Sequence, residues 1–182
     1  MTEPKKTLRD VIHDISRTLG AEHFPKGDLA ELRRLNLRNP PPAYWRLAAQ
    51  LIPEDSRTGK RSERAWAVVL KGMAIMVPHA HTPKMPLGRA LCELKEKEGR
   101  KALTSIHPVE NRLWTLLRSR GEQLEDQILL TARFLRSKES AMDWSGPAKL
   151  LLCADEEKRD AVCRELARGY YFSKPTEPEH TA

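Results

Sequence analysis

The sequence predicts an all-α protein, a helical bundle built as two small helical lobes. Three observations carry that prediction. Apolar residues recur three and four positions apart along most of the chain, which is the period of one helix face. Strand signals are absent, with no strict alternation of β-branched or aromatic residues and no Asn-Gly or Asp-Gly hairpin turn. Proline and glycine mark the ends of the apolar stripes, at Gly20, Pro40-Pro41-Pro42, Pro78, Pro86, Pro108 and Gly121.

The elements follow in order. Leu8, Val11, Ile12, Ile15 and Leu19 form the first stripe, and Gly20 stops it. Leu29, Leu32 and Leu35 form the second, with Asp28 expected as its N-cap. Beyond the triple proline, a third helix carries Tyr44, Trp45, Leu47, Ala48, Leu51 and Ile52. Residues 53–61 read as a polar connector. Ser62 is expected to open a helix with Trp66, Val69, Leu70 and Met73 on one side, ended by Pro78. Residues 78–86 form a loop rich in proline and histidine. Pro86 suits the first turn of the next helix, whose Leu87, Ala90, Leu91 and Leu94 face inward. Glu93 to Lys101 is expected to be a mobile charged stretch. Pro108 starts a helix with Val109, Leu113, Leu116 and Leu117 as its stripe. The following helix uses Leu124, Ile128, Thr131 or Ala132, and Leu135. Trp144 to Leu152 is a short apolar helix, and Asp155 caps the last, which carries Val162, Leu166 and Tyr170. Residues 1–25 then read as an N-terminal helical extension, 26–172 as the main helical domain with a lobe junction near 78–86, and 173–182 as a disordered tail.

A chain of 182 residues that is 40% hydrophobic can bury a core. Its mean hydropathy is −0.60, and no apolar run approaches the roughly 20 residues of a membrane-spanning helix. Met1 to Lys6 lead into an amphipathic segment, so no secretory signal is expected. Three widely spaced cysteines, Cys92, Cys153 and Cys163, do not make a disulfide framework. They read as small buried hydrophobes of a cytoplasmic protein.

Net charge is +7, and its distribution is uneven. Residues 26–72 carry ten basic and five acidic side chains, and residues 84–120 carry nine and four, a net +5 each. Residues 121–182 carry nine basic and twelve acidic side chains, a net −3. Positive charge concentrated in the first two thirds is the footprint expected of a polyanion binder.

The search for chemistry returns little. There is no His-Glu-x-x-His or paired Cys-x-x-Cys spacing, and His79 and His81 read as solvent-exposed loop residues, so neither a metal nor a cofactor is expected. There is no Gly-x-Ser-x-Gly elbow, and Gly59-Lys60 lacks the glycine frame of a phosphate cradle. Trp45, Trp66, Trp114 and Trp144 all sit among apolar neighbours and read as core. Any nucleic-acid contact should therefore run through phosphates, with little base stacking. Arg33, Arg34 and Arg38 cluster at the second helix. Arg64 and Lys71 share the polar face of the Ser62 helix, Arg112 and Arg118 that of the Pro108 helix, and Arg133 stands off the following stripe. Arginines so placed can fork onto phosphate oxygens.

Four elements together resemble the CasB family, the small subunit of the type I-E CRISPR effector Cascade. These are Leu32-Arg33-Arg34-Leu35 followed by Pro42 and Tyr44-Trp45-Arg46-Leu47; Leu87-Gly88-Arg89-Ala90-Leu91; Glu110-Asn111-Arg112-Leu113 followed by Leu116-Leu117-Arg118; and Asp143-Trp144 preceded by Arg133. They run in order over roughly residues 28–172, whereas the N-terminal helix, residues 77–86 and the tail depart from the pattern. The resemblance implies a two-lobed helical fold and a non-catalytic role in antiviral defence. It implies crRNA, target DNA and other Cascade subunits as partners, with self-association as a dimer. Guide pairing reads the sequence, and the subunit stabilises the R-loop and displaced strand through a basic groove. Family nucleic-acid contacts carry over to Arg34, Arg61, Arg112 and Arg133, with Lys60 able to replace Arg61. Arg33, Arg64 and Arg118 are further candidates beside them. The alternatives are a helical adaptor with a basic surface for an acidic protein partner, and a helical enzyme with a dispersed site.

Overall fold

A computed structural model describes residues 6–98 and 107–173. Among these residues the protein is all-α, with ten helices and no strand beyond two isolated bridges. The helices are α1 (Leu8–Leu19), α2 (Lys26–Arg33), α3 (Pro42–Leu51), α4 (Glu54–Arg57), α5 (Lys60–Met76), α6 (Leu87–Glu98), α7 (Pro108–Arg118), α8 (Gly121–Ser137), α9 (Ser145–Leu152) and α10 (Glu156–Tyr171). Glu93 to Glu98 complete α6, while 99–101 of the expected charged stretch, and the expected tail beyond Ser173, lie outside the described residues.

Local chemistry sets the boundaries. At α1, the Thr7 hydroxyl accepts from the Asp10 amide at 3.3 Å and the Asp10 carboxylate accepts from the Thr7 amide at 2.9 Å, a reciprocal capping box. Asp28 is not the N-cap of α2. The helix begins earlier, after Pro25, so Asp28 lies in its first turn, where a carboxylate suits the helix dipole, and it pairs with Arg46 of α3 at 2.8 Å. α5 likewise begins at Lys60 instead of Ser62. Gly59 turns the chain with φ of +96°, a conformation that favours glycine, and the helix starts immediately. Pro108 opens α7, and the Asp155 carboxylate caps α10 by accepting from the Lys158 amide at 2.9 Å.

α5 is the hub. From Ala65 to Met76 it is buried on nearly every side, as a helix enclosed by others must be. α1, α2, α3, α4, α8 and α9 all pack against it. The first helix joins that core through Val11, Ile12, Ile15 and Leu19. α6 packs against α7 and α10, and α9 links α10 to α5. Two glycines permit close approaches. A methyl group on Gly72 would overlap the ring of the fully buried Trp144, and one on Gly88 would overlap the Leu166 carbonyl of α10. The segment 80–86 is stitched to the start of α9, with the Asp143 amide donating to the Met85 carbonyl at 2.7 Å and the Thr82 amide to the Met142 carbonyl at 3.1 Å. No helix among the described residues is long and apolar enough to cross a membrane.

Candidate nucleic-acid interface

The predicted basic residues separate into groups. The first surrounds the C-terminal half of α8. Lys71 on α5 donates to the Leu35 carbonyl at 2.7 Å, one residue beyond Arg34, which caps the C-terminus of α2. Burial lowers the Lys71 pKa, the charge of Arg133 on α8 lowers it further and that of Asp126 opposes the change, so Lys71 lies within reach of both α8 charges. On the other side of Arg133, the Arg112 guanidinium of α7 lies 4.5 Å from the centroid of the Phe134 ring, with the Lys138 ammonium 5.8 Å from the same ring. Arg34 and Arg133 are exposed and Arg112 is half-buried. None of the three forms an ion pair with a carboxylate among the described residues. These basic side chains, drawn from the end of α2, α5, α8 and α7, make up the basic seam.

The second group is tied down. Arg64 meets Glu125 through Nε at 2.7 and 2.8 Å and Glu122 through Nη2 at 2.9 Å, so its charge is answered within the fold. Arg61 donates to the Cys153 carbonyl at the end of α9, and Lys60 stands beside it on the first turn of α5. Arg33 holds the end of α5 against α2, donating to the Ala74 carbonyl at 2.9 Å and the Val77 carbonyl at 3.4 Å. Arg118 lies over the Trp114 ring, 5.6 Å from its centroid.

Three expectations need correction. Trp66 and Trp144 are core, but Trp45 and Trp114 are 49% and 38% exposed. Trp45 follows the buried Tyr44 by one residue and Trp114 follows the buried Leu113 by one, so each is turned about 100° off its helix's apolar face. Trp114 also donates to the Tyr171 hydroxyl at 2.8 Å, which donates in turn to Glu110 at 2.6 Å. His81 is not a solvent-exposed loop histidine. Its side chain is only 2% exposed, its Nδ1 accepts from the Trp144 amide at 3.2 Å, and burial lowers its pKa. His79 is exposed as expected. Arg159 is 4% exposed, on the buried face of α10 with Leu166 and Tyr170; its charge hid a position that helical spacing puts in line with that stripe. Among the described residues no group of three or more His, Cys, Asp or Glu side chains is placed to hold a metal ion.

Comparison with known proteins bears on this geometry. The chain is similar to CasB from Thermus thermophilus, with 22% identity over 92% of this chain and 100% of that one and a TM-score of 0.66. It is similar to M. ruber CasB, with 20% identity over 89% and 93% and a TM-score of 0.67. A chain in the structure of E. coli Cascade bound to a PAM-containing dsDNA target matches with 20% identity over 88% and 97% and a TM-score of 0.57. No curated protein matches the chain. The family model described as CRISPR-associated protein Cse2 matches residues 28–171. These limits span α2 to α10 and contain the whole basic seam, and the chain belongs to the CRISPR-associated Cse2 family.

Proposed function

We propose that the chain is a non-catalytic, nucleic-acid-binding subunit of a crRNA-guided CRISPR interference complex, Cascade. It holds the guide RNA–target DNA R-loop and the displaced strand through a basic groove. The observation that carries this reading is the seam around α8, where Arg34, Arg112 and Arg133 project from three different helices without carboxylate partners. Fixed cations on a rigid bundle meet phosphates without reordering, and each phosphate neutralised releases counterions. Guide pairing supplies sequence, so the subunit needs only backbone contact, and an R-loop is a near-balanced exchange that such contacts can tip. Pairing with a second copy would lengthen the groove along the duplex.

The test uses complexes assembled with and without this chain on labelled target DNA. Retention of target across a salt series, and reaction of the displaced strand with a single-strand probe, are the readouts. The chain should raise retention steeply at low salt and shield the displaced strand. Salt-insensitive retention would instead favour the adaptor reading, in which the basic surface meets an acidic protein.

A further inference from the structure

A concavity of about 590 Å³ opens where the N-termini of α5, α8 and α10 meet, away from the basic seam. Its walls include the apolar side chains of Leu124, Leu150 and Leu151. Its four carboxylates are already engaged. Glu122 and Glu125 pair with Arg64, Glu156 with Arg120 at 3.6 Å, and Asp155 caps α10. Three cations in the lining have no carboxylate partner: Lys60, Arg61 and Arg159. Arg159 is 4% exposed. Its Nη2 donates to the Leu117 and Ser119 carbonyls at 3.1 and 2.8 Å, and its buried Nη1 has no hydrogen-bond partner among the described residues. A buried guanidinium without a counterion is costly, and the described residues supply none. The first amides of α5 and α8 also lack a side-chain cap, so two helix N-termini face the same space with donors to spare.

We infer that this concavity is a socket for one carboxylate of a neighbouring protein chain, an Asp or Glu side chain carried on an apolar segment. The carboxylate completes the coordination of Arg159 and Arg61 and meets the N-terminus of α8, over a floor of the buried Leu124, Leu150 and Leu151. A nucleic-acid backbone suits the site poorly. The rim carries Glu122, Asp155 and Glu156, with Glu157 following on α10, so a strand bearing a charge at every phosphate meets repeated repulsion. A single carboxylate balances the one positive charge by which the five cations of the lining exceed its four carboxylates, whereas a strand of phosphates overshoots it. Arg61 then serves protein recognition. The socket stands on its own residues and does not depend on phosphate binding at the α8 seam.

The experiment titrates the ¹⁵N-labelled full chain with acetyl-Leu-Glu-Leu-amide, its Gln counterpart, inorganic phosphate and a single-stranded oligodeoxythymidylate. The Glu peptide should move the Gly121 amide and the Arg159 Nε–H resonances, with a Kd on the order of 1 mM. The Gln peptide should bind at least about tenfold more weakly, the loss expected when a charged hydrogen-bond partner goes. Arg159→Leu should abolish the response. Should that variant fail to fold, the surface double variant Lys60→Gln/Arg61→Gln decides, with an expected loss of about tenfold. An equal response to both peptides, a stronger response at Gly121 and Arg159 to phosphate or oligonucleotide, or an unaltered response in the double variant overturns the socket. Oligonucleotide shifts at Arg133 report on the α8 seam separately, so the two readings fail independently.

Discussion

Replacing Arg34, Arg112 and Arg133 together with glutamine should remove most of the protein's affinity for single-stranded nucleic acid while leaving its fold intact. The three guanidinium groups pair with no carboxylate among the described residues, so in the proposed function each neutralises one phosphate. Each contact contributes about 0.7–0.9 to the slope of log K against log salt, so three contribute roughly 2–2.7. Extrapolated to 0.1 M salt, that loss is about 100- to 500-fold in affinity. The structural cost is small for Arg34 and Arg133, which are exposed, at about 0.5 kcal/mol or less each. It is larger for Arg112, whose stacking on Phe134 is worth about 0.5–1 kcal/mol. Fluorescence anisotropy with labelled DNA and RNA between about 50 and 200 mM salt measures the slope, and circular dichroism melts measure the fold. The control is Lys60→Gln/Arg61→Gln/Arg64→Gln. It removes as many formal charges but should change the slope much less, because Arg64 is neutralised by Glu122 and Glu125, and Lys60 and Arg61, although unpaired, line a concavity whose four carboxylates repel a strand. If the two triple variants lose the same slope, or the seam variant loses none, the division between free and committed arginines is wrong.

Incubated with labelled DNA or RNA, with or without Mg²⁺ or Mn²⁺, the purified chain should leave the substrate uncut; cleavage abolished by a point substitution in this chain would refute the non-catalytic reading. Gly88→Ala should destabilise by about 1–3 kcal/mol or more in a denaturant melt, because the new methyl group meets the backbone of α10 at Leu166 and Tyr170, which cannot yield as a side chain can. His81 makes stability pH-dependent. Burial lowers its folded pKa below the unfolded value of 6.5, so its contribution is fully present above that pH and is lost as pH falls below it toward the folded pKa. Melting temperatures of wild type and His81→Asn across that range should converge in acid, and parallel curves would show that His81 is not the titrating group. Glu125→Gln should free Arg64 from its closest carboxylate and steepen the salt dependence of binding, by at most about one contact's worth of slope.

Much of the fold was legible because helical period and punctuation agree along the chain. The stripes at Val11–Leu19, Leu113–Leu117 and Leu124–Leu135 are buried as spaced. Trp45 and Trp114 were misread from their apolar neighbours, although helical phase places both beside the buried face and not on it. The phase of a residue within its helix outranks the company it keeps in sequence. The site was less legible for a different reason. Arg33, Arg64 and Arg133 look alike in sequence, each a cation off an apolar stripe. What separates them is the group that tertiary packing puts opposite: the carbonyls of Ala74 and Val77 for Arg33, two α8 carboxylates for Arg64, and no carboxylate for Arg133. Arg159 is the extreme case, since the carbonyls that bury it belong to the end of α7, about 40 residues earlier in the chain.

The uneven charge of the chain has a structural use that its totals conceal. The base-rich first two thirds and the acid-rich last third meet across α5 and α8, where Arg64 finds Glu122 and Glu125. Within α8 the charges are sorted along the axis, with Glu122, Glu125 and Asp126 near its start and Arg133 and Arg136 near its end. That order suits the helix dipole, which favours anions at the N-terminus and cations at the C-terminus by about 0.3–1 kcal/mol each. One arrangement therefore serves two ends. The acidic start of α8 clamps the hub helix, and its basic end, stabilised by the same dipole, joins Arg34 and Arg112 in the seam. Helix stability explains where the cations sit on α8, but it does not explain why Arg34 and Arg112 pair with no carboxylate among the described residues. In the proposed function, phosphates supply the counter-charge that these arginines do not find within the described fold.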